Sequence, residues 1–130
     1  MNVLYNIADL YVSPYRAEGF NMPVLEAMSV GLPIIVSGGG STDDFVPYFR
    51  FGNFQPFIRT TLVHAPRNLS LIGDGTSKML EPSASHLKEL MEEFIAHKEE
   101  IQGIASGVNR RVAQRFSWEH FTEALVELFF

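Results

Sequence analysis

The sequence predicts an α/β fold in which a small parallel sheet with flanking helices is followed by a helical C-terminal third. Two short apolar runs, at residues 10–12 and 33–36, are separated by a helical segment, which is the βαβ order typical of a parallel sheet. From Ser83 onward, apolar residues recur at steps of three and four, as they do in amphipathic helices. At 130 residues the chain has the size of one domain with one modest core.

Within this domain, residues 1–46 are predicted to form the βαβ unit. Segment 2–8 is predicted to be a short helix, and the apolar run that follows is a strand ended by a serine and a proline. The next helix spans about residues 22–30, because a proline suits its first turn and Gly31 suits the left-handed position that ends a helix. Residues 33–36 show no polar alternation, so we expect a strand that is buried on both faces. The prediction is a partial Rossmann-like sheet of two or three strands with one open edge.

Residues 47–82 show no sustained period, apart from a candidate strand at 60–63, and we interpret them as an irregular, aromatic-rich insertion. Residues 83–130 are predicted to be helices, the last of which begins at Ser117. Each predicted helix has one apolar side, which is formed in turn by Leu87, Leu90, Met91, Phe94 and Ile95, by Ile101, Ile104, Val108 and Val112, and by Trp118, Phe121, Leu125 and Leu128. The terminal Phe129 and Phe130 leave an apolar end that favours docking.

Composition excludes several classes of function. The net charge is -5 and the ten Lys and Arg residues are scattered, so nucleic acid is not an expected partner. The chain has no cysteine and its four histidines lack metal-ligand spacing, so we expect no metal site. There is no basic leader and no membrane-spanning stretch. A cytoplasmic location is the default expectation, and peripheral contact with a membrane through an acceptor is compatible with it.

Two carboxylates flank the junction between the first loop and the second helix. Glu18 and Glu26 lie eight positions apart, beyond the carboxyl end of the first strand, which is where ligands bind in open parallel sheets. The start of the helix near Met22 offers N–H groups that suit a diphosphate, and ionised carboxylates accept hydrogen bonds from sugar or ribose hydroxyls. Together these groups describe a nucleotide-sugar site. The alternative is that Glu26 complements the helix dipole in the first turn and Glu18 is a solvated loop residue.

A glycine-rich loop, GGGSTDDF, follows the second strand. It contains Gly39 and Gly40, and it leaves the carboxyl end of its strand, so it is a candidate for the opposite wall of the same cleft. The alternative is a glycine turn in which Ser41 or Thr42 caps a short helix.

The string ADLYVSPYRAEGFNMPVLEAMSVGLPIIVSGGG resembles the signature region of glycosyltransferase family 4, with its E-x7-E motif, EAM-type helix and GLP-type strand. Later stretches, KMLEPSASHLKELM and RRVAQRFSWEHFTEAL, resemble the late helices of that family in the same order. The resemblance implies the C-terminal donor-binding part of a retaining transferase of the two-domain GT-B type, which moves a hexose from a nucleotide diphosphate sugar, such as a UDP- or GDP-hexose, to an acceptor.

Carried over by position, the resemblance implies that Glu26 holds the ribose hydroxyls. It implies that Glu18, the candidate catalytic residue, contacts hydroxyls of the transferred hexose. Gly19, Phe20 and Asn21 would present backbone N–H groups near the sugar and the diphosphate, while Gly39 and Gly40 complete the donor-binding set. No cofactor and no metal is expected, because such enzymes act by stabilising the charge of the departing phosphate.

The resemblance also implies an acceptor-binding N-terminal half and upstream basic residues that clamp the diphosphate. The chain begins after both, so we expect it to need an N-terminal acceptor domain or a partner chain and to be inactive as an isolated polypeptide. The alternative function is a non-catalytic interaction module, a transferase remnant that binds a partner or a second copy through the open sheet edge and the last helix.

Three further features are given structural interpretations. Gly73-Asp74-Gly75 is interpreted as a turn, and the Asn68-Leu69-Ser70 sequon is predicted to be unmodified. The group Arg110, Arg111 and Arg115 is interpreted as a solvated helix face.

Overall fold

The computed structural model describes residues 2–48, 51–66 and 77–129. Its first four elements are helix α1 (Asn2–Ile7), strand β1 (Tyr11–Ser13), helix α2 (Met22–Ser29) and strand β2 (Ile34–Ser37). The strands β1 and β2 pair in parallel, with Tyr11 opposite Ile34. The predicted βαβ unit is therefore confirmed, and the α/β fold class with it.

A third short strand completes the parallel sheet. Strand β3 (Phe57–Ile58) pairs in parallel with β2, and the strand order is β1-β2-β3. The central strand β2 is buried at all four positions, as its unbroken apolar run predicts. Around it lies a single core of side chains: Val24, Leu25, Ala27, Met28, Ile34, Ile35, Val36, Phe45, Val46, Ile58, Phe94, Ile101, Ala105, Val108 and Val112.

Helix α2 ends as the sequence predicts. Gly31 has a φ of 79°, and its N–H bonds the carbonyl of Met28, while the N–H of Leu32 bonds the carbonyl of Ala27. A Cβ atom at Gly31 would lie 3.1 Å from the Cα atom of Ser106. Glycine therefore permits both the left-handed turn and the close packing of this corner on the later helix that contains Ser106.

Segment 47–82 is more regular than the prediction of an irregular insertion. Besides β3, it contains strand β4 (Thr60–His64), which pairs in antiparallel fashion with strand β5 (Lys78–Pro82). The candidate strand at 60–63 is thus confirmed. Short 3₁₀ turns, Ser41–Asp44 and Val46–Tyr48, lead into the segment. These strands have two to five residues, which is too short for a period to be visible in the sequence.

Two of the minor predictions concern residues 67–76. The Asn68 sequon and the Gly73-Asp74-Gly75 turn lie outside the described residues.

The C-terminal third consists of helices α3 (Ala84–Ala96), α4 (Lys98–Arg115) and α5 (Trp118–Phe129), as predicted. The side chain of Ser83 accepts a hydrogen bond from the N–H of His86 at 3.3 Å, and that of Ser117 from the N–H of His120 at 3.1 Å. Each serine therefore caps the helix that follows it. None of the described helices is long and apolar enough to cross a membrane.

The three helices bury their apolar faces to different extents. Helix α4 buries Ile101, Ala105, Val108 and Val112 against the core. Helix α3 buries Leu90 and Phe94, but Ile95, which lies on the predicted apolar side, is 70% exposed. Helix α5 has no buried residue among its described positions. The apolar side chains that line one side of α5 are therefore exposed among the described residues.

Candidate functional site

Two loops leave the carboxyl edge of the parallel sheet side by side. The first, residues 14–21, connects β1 to α2, and the second, residues 38–40, follows β2. We call them the acidic loop and the glycine loop. Because β1 and β2 are parallel neighbours, their following loops meet at one edge, as predicted for a ligand site.

Glu26 lies in the second turn of α2, since the first turn contains no acidic residue. The interpretation that it complements the helix dipole from the first turn is therefore wrong. The side chain is half-buried, and its Oε2 atom accepts a hydrogen bond from the hydroxyl of Tyr5 in α1 at 2.9 Å. This contact fixes the carboxylate against α1.

The carboxylate of Glu18 lies on the exposed acidic loop, yet it shares a neighbour with Glu26. Burial raises the pKa of Tyr11 above its ordinary value, and the negative charge of Glu18 and, to a smaller extent, that of Glu26 raise it further. A hydrogen bond with the side chain of Ser13 opposes this shift. The negative charges of both carboxylates therefore favour the neutral form of the Tyr11 hydroxyl.

Asn21 holds the junction between the acidic loop and α2. It is buried and left-handed, with a φ of 64°, a conformation that asparagine tolerates better than other non-glycine residues. Its side-chain amide donates a hydrogen bond to Oγ of Ser13 at 3.1 Å, so it is turned toward β1. The start of α2 has no side-chain cap among the described residues. Pro23 has no N–H and the N–H of Val24 donates to the carbonyl of Asn21 at 3.0 Å, so among the first three helical residues Met22 alone can offer an N–H to a ligand.

The remaining two residues of the predicted acidic-loop set differ in exposure. A Cβ atom at Gly19 would have no described atom within 4 Å, so the backbone there is open to close approach. Phe20 is 42% exposed, and its ring packs against Phe45 with centroids 5.2 Å apart. The ring of Phe45 in turn packs edge-on against the ring of Phe116, with centroids 6.2 Å apart.

Beside Phe20 lies an apolar groove of about 590 Å³. It is lined by residues of the acidic loop, of α2 and of the α4–α5 junction: Phe20, Met22, Leu25, Phe116, Trp118 and Phe121. The sequence did not predict this groove, because it depends on how α5 is placed over α2.

The glycine loop contacts its own chain closely. The N–H of Gly39 donates to Oδ2 of Asp43 at 2.9 Å, and a Cβ atom at Gly40 would lie 2.7 Å from the hydroxyl of Tyr15. The 3₁₀ turn begins after Gly40 without a side-chain cap, so the prediction of a cap by Ser41 or Thr42 is wrong. The hydroxyl of Tyr15 instead accepts a hydrogen bond from the N–H of Thr42 at 3.3 Å.

The hairpin of β4 and β5 supports both loops. The N–H of Leu80 donates to the carbonyl of Arg16 at 2.9 Å, and Oγ1 of Thr60 donates to the carbonyl of Gly38 at 2.7 Å. An ion pair between Arg16 and Glu81, at 2.8 Å, joins the acidic loop to β5. These supporting residues were not predicted. They reach the two loops only because β4 pairs with β5, and the first residues of these strands are 18 positions apart.

A buried hydroxyl oxygen lies directly after the glycine loop, in the first residue of the 3₁₀ turn. Oγ of Ser41 is buried and has no hydrogen-bond partner within the part of the chain that the structure describes. A buried hydroxyl without a partner costs about 1–3 kcal/mol of desolvation. Among the same residues, no group of three His, Asp or Glu side chains is placed to hold a metal ion.

Comparison with known proteins points to one class. Residues 1–48 match the family model described as Glycosyl transferases group 1. A 42-residue segment is 40% identical to the lipopolysaccharide core biosynthesis mannosyltransferase LpsB of Rhizobium meliloti (strain 1021). That segment is 32% of this chain and 12% of the relative, so the chain matches only a small part of the relative's length. No solved structure matches the chain significantly. The matches support a glycosyltransferase-like unit in the first third of the chain, the part that contains both loops.

Proposed function

We propose that the chain is the nucleotide-sugar-binding part of a retaining glycosyltransferase of the GT-B type, with Glu18 and Glu26 as its E-x7-E motif. The observation that carries the proposal is the junction of the acidic loop with α2 at the carboxyl edge of a parallel sheet, where Glu18 lies on the loop and Glu26 on the helix. The family match over the same residues supports it.

In this proposal Glu26 binds the ribose of the donor. One of its oxygens accepts the hydroxyl of Tyr5, and an ionised carboxylate has about four acceptor positions, so acceptor positions remain for a vicinal diol. The bond from Tyr5 orients the carboxylate before the donor arrives. This orientation lowers the entropy that binding has to remove.

The diphosphate lies at the start of α2. The start of a helix carries a partial positive charge, and the N–H of Met22 is the group there that can meet the phosphate, because Pro23 has no N–H and that of Val24 bonds the carbonyl of Asn21. The open backbone at Gly19 lets the phosphate groups approach closely.

The hexose lies above the acidic loop, where the exposed Glu18 accepts hydrogen bonds from its hydroxyls. When the bond from the anomeric carbon to the diphosphate breaks, negative charge develops on the leaving oxygen. The N–H of Met22 at the start of α2 stabilises that charge, which is how the site would accelerate transfer without a protein nucleophile. The glycine loop, with Gly39 and Gly40, forms the facing wall.

Isothermal titration calorimetry of the 130-residue chain tests this assignment. UDP, GDP and the corresponding hexose derivatives are titrated into the wild type and into Glu26→Gln, Glu18→Gln and Glu92→Gln. The last variant is a matched control, because Glu92 lies exposed on α3 and pairs with Lys88 in the preceding turn, at 3.4 Å.

The variants have different expected signatures. Glu26→Gln weakens binding of the bare nucleotide and of the nucleotide sugar alike, because both contain the ribose. Glu18→Gln weakens binding of the sugar derivative alone, and Glu92→Gln changes neither. Equal affinities of the wild type and Glu26→Gln for every nucleotide would refute the site.

A second candidate function rests on α5. Its apolar side chains are uncovered, and Trp118 is 81% exposed, so a non-catalytic module that binds a partner or a second copy through this helix is the alternative. Analytical ultracentrifugation distinguishes the two, since tight self-association without nucleotide affinity favours the interaction module.

A further inference from the structure

A closed ring of hydrogen bonds joins the acidic loop to the glycine loop. The hydroxyl of Tyr15 lies 2.8 Å from Oγ1 of Thr42, and that atom lies 3.2 Å from the carbonyl oxygen of Ser37. Oγ of Ser37 donates to the carbonyl of Tyr15 at 2.7 Å and so closes the ring. The ring thus joins Tyr15 of the acidic loop to the two residues that flank the glycine loop, Ser37 at the end of β2 and Thr42 in the 3₁₀ turn.

One assignment of protons satisfies the whole ring. The Thr42 hydroxyl donates to the Ser37 carbonyl, so its oxygen accepts the proton of the Tyr15 hydroxyl. The Tyr15 oxygen then accepts the N–H of Thr42, at 3.3 Å. That N–H belongs to the first turn of a 3₁₀ helix and has no partner within the helix, so Tyr15 provides the cap from another loop.

The surroundings give the ring little freedom to rearrange. Thr42 and Ser37 are fully buried, and buried hydrogen-bond networks are stronger than exposed ones. Gly40 lets the ring of Tyr15 approach the backbone, since a Cβ atom there would lie 2.7 Å from the hydroxyl and 2.9 Å from Cε2. Tyr15 also lies three positions before Glu18, so its place determines where the acidic loop begins its course.

We infer that Tyr15 and Thr42 are positioning residues that set the separation of the two loops and hence the geometry of donor binding. This inference rests on the proposed function. Neither residue has to touch the donor. The ring acts by holding the loop with Glu18 and the loop with Gly39 at a fixed distance, so that one ligand can contact both.

The first test uses the ligand-free chain. Amide hydrogen exchange is measured by NMR for the wild type, Tyr15→Phe and Thr42→Val, with Tyr48→Phe as control because Tyr48 lies on the exposed surface. Tyr15→Phe is expected to speed exchange at residues 38–43, in the other loop, and Thr42→Val to do so at residues 16–21. Tyr48→Phe leaves both loops unchanged. Effects that stay confined to the mutated loop would overturn the inference.

The second test is a double-mutant cycle on the affinity for UDP- and GDP-hexoses, measured well below the unfolding temperature of each variant. Each single variant is expected to weaken binding about 5- to 30-fold, the range of one good hydrogen bond, and the double variant no more than either single one. Thr42→Ser, which keeps the hydroxyl, retains affinity. Purely structural damage would instead give additive losses and no rescue by serine, and that result would overturn the positioning role.

The two proposals can fail separately. If the wild type binds no nucleotide sugar, the proposed function and the positioning role both fail. If the wild type binds and the cycle is additive, the proposed function stands and only the positioning role of Tyr15 and Thr42 is wrong.

Discussion

Removing the hydroxyl of Tyr5 perturbs the candidate site from outside the loops. In Tyr5→Phe the ring stays in the core, where Tyr5 is 7% exposed, and only the 2.9 Å hydrogen bond to Glu26 is lost. Hydrogen bonds to charged groups contribute about 1.5–3 kcal/mol to stability. Because Glu26 is half-buried and partly solvated, we expect the lower part of that range, a loss of about 1.5–2 kcal/mol in the free energy of unfolding.

Urea unfolding followed by circular dichroism measures this change. The midpoint should fall while the denaturant dependence stays the same, because the surface exposed on unfolding is unaltered. The control is Tyr48→Phe, at a tyrosine that is 60% exposed, for which we expect a change within about 0.5 kcal/mol. Equal midpoints for the two variants would refute the reasoning that Tyr5 supports Glu26.

The same contact predicts a dependence on alkaline pH. Burial, followed by the hydrogen bond to Glu26 and its charge, raises the pKa of Tyr5 from 10.0 to about 12. A raised folded-state pKa gives stabilisation that is fully present below pH 10.0 and is lost as the pH rises through about 12. Tyrosinate absorbance should show late ionisation of Tyr5 and of Tyr11, whose pKa values are both raised, and Tyr5 should ionise earlier in Glu26→Gln. Late ionisation of Tyr5 that is unaffected by Glu26→Gln would contradict the assignment.

Four further substitutions test the local packing, each by the free energy of unfolding. Gly103→Ala and Gly107→Ala should each stabilise α4 by about 0.5–1 kcal/mol, because a Cβ atom at either position meets no described atom within 4 Å; a loss of stability would contradict this packing. Ser41→Ala should leave stability unchanged or raise it by up to about 1 kcal/mol, because it removes a buried hydroxyl without a partner among the described residues. Gly40→Ala should lower the free energy of unfolding by about 1–3 kcal/mol, because the added Cβ atom clashes with Tyr15. An unchanged free energy of unfolding would show that the loop shifts to accommodate the Cβ atom.

The first half of the fold could be predicted from sequence because each element there has a local signal. The unbroken apolar run of β2 indicates a buried parallel strand, and Gly31 marks the end of α2 by its left-handed turn. In the C-terminal third, Ser83 and Ser117 likewise indicate the starts of the helices that they cap. These signals depend only on neighbouring residues.

The features that sequence missed depend on contacts between distant segments. Strand β3 has two residues, so only its pairing with β2 defines it. The cap of the glycine-loop turn comes from Tyr15, 27 positions away, so a search for a local cap at Ser41 or Thr42 could not find it. The outward face of α5 carries the same amphipathic pattern as a buried helix, and the sequence alone does not tell whether anything covers it.

The candidate site stays a prediction from the sequence. Sequence analysis placed Glu18 and Glu26 at one edge of the sheet, and the structure adds that both act on Tyr11 and that Tyr5 orients Glu26. A helix that begins at residue 22 already places Glu26 in the second turn, so the first-turn interpretation misplaced this residue within a correctly predicted helix. The roles of the individual residues toward a donor stay predictions.

The central claim is that the acidic loop and the start of α2 bind a nucleotide sugar. Its most direct test is an NMR titration of the isotopically labelled chain with UDP- and GDP-hexoses, in which backbone amide shifts are followed residue by residue. The account predicts saturable shifts at residues 18–22 and 38–40, with none along the acidic face of α5 at Glu119 and Glu123. Saturable shifts that spare the acidic loop, or no shifts at millimolar donor, would contradict it.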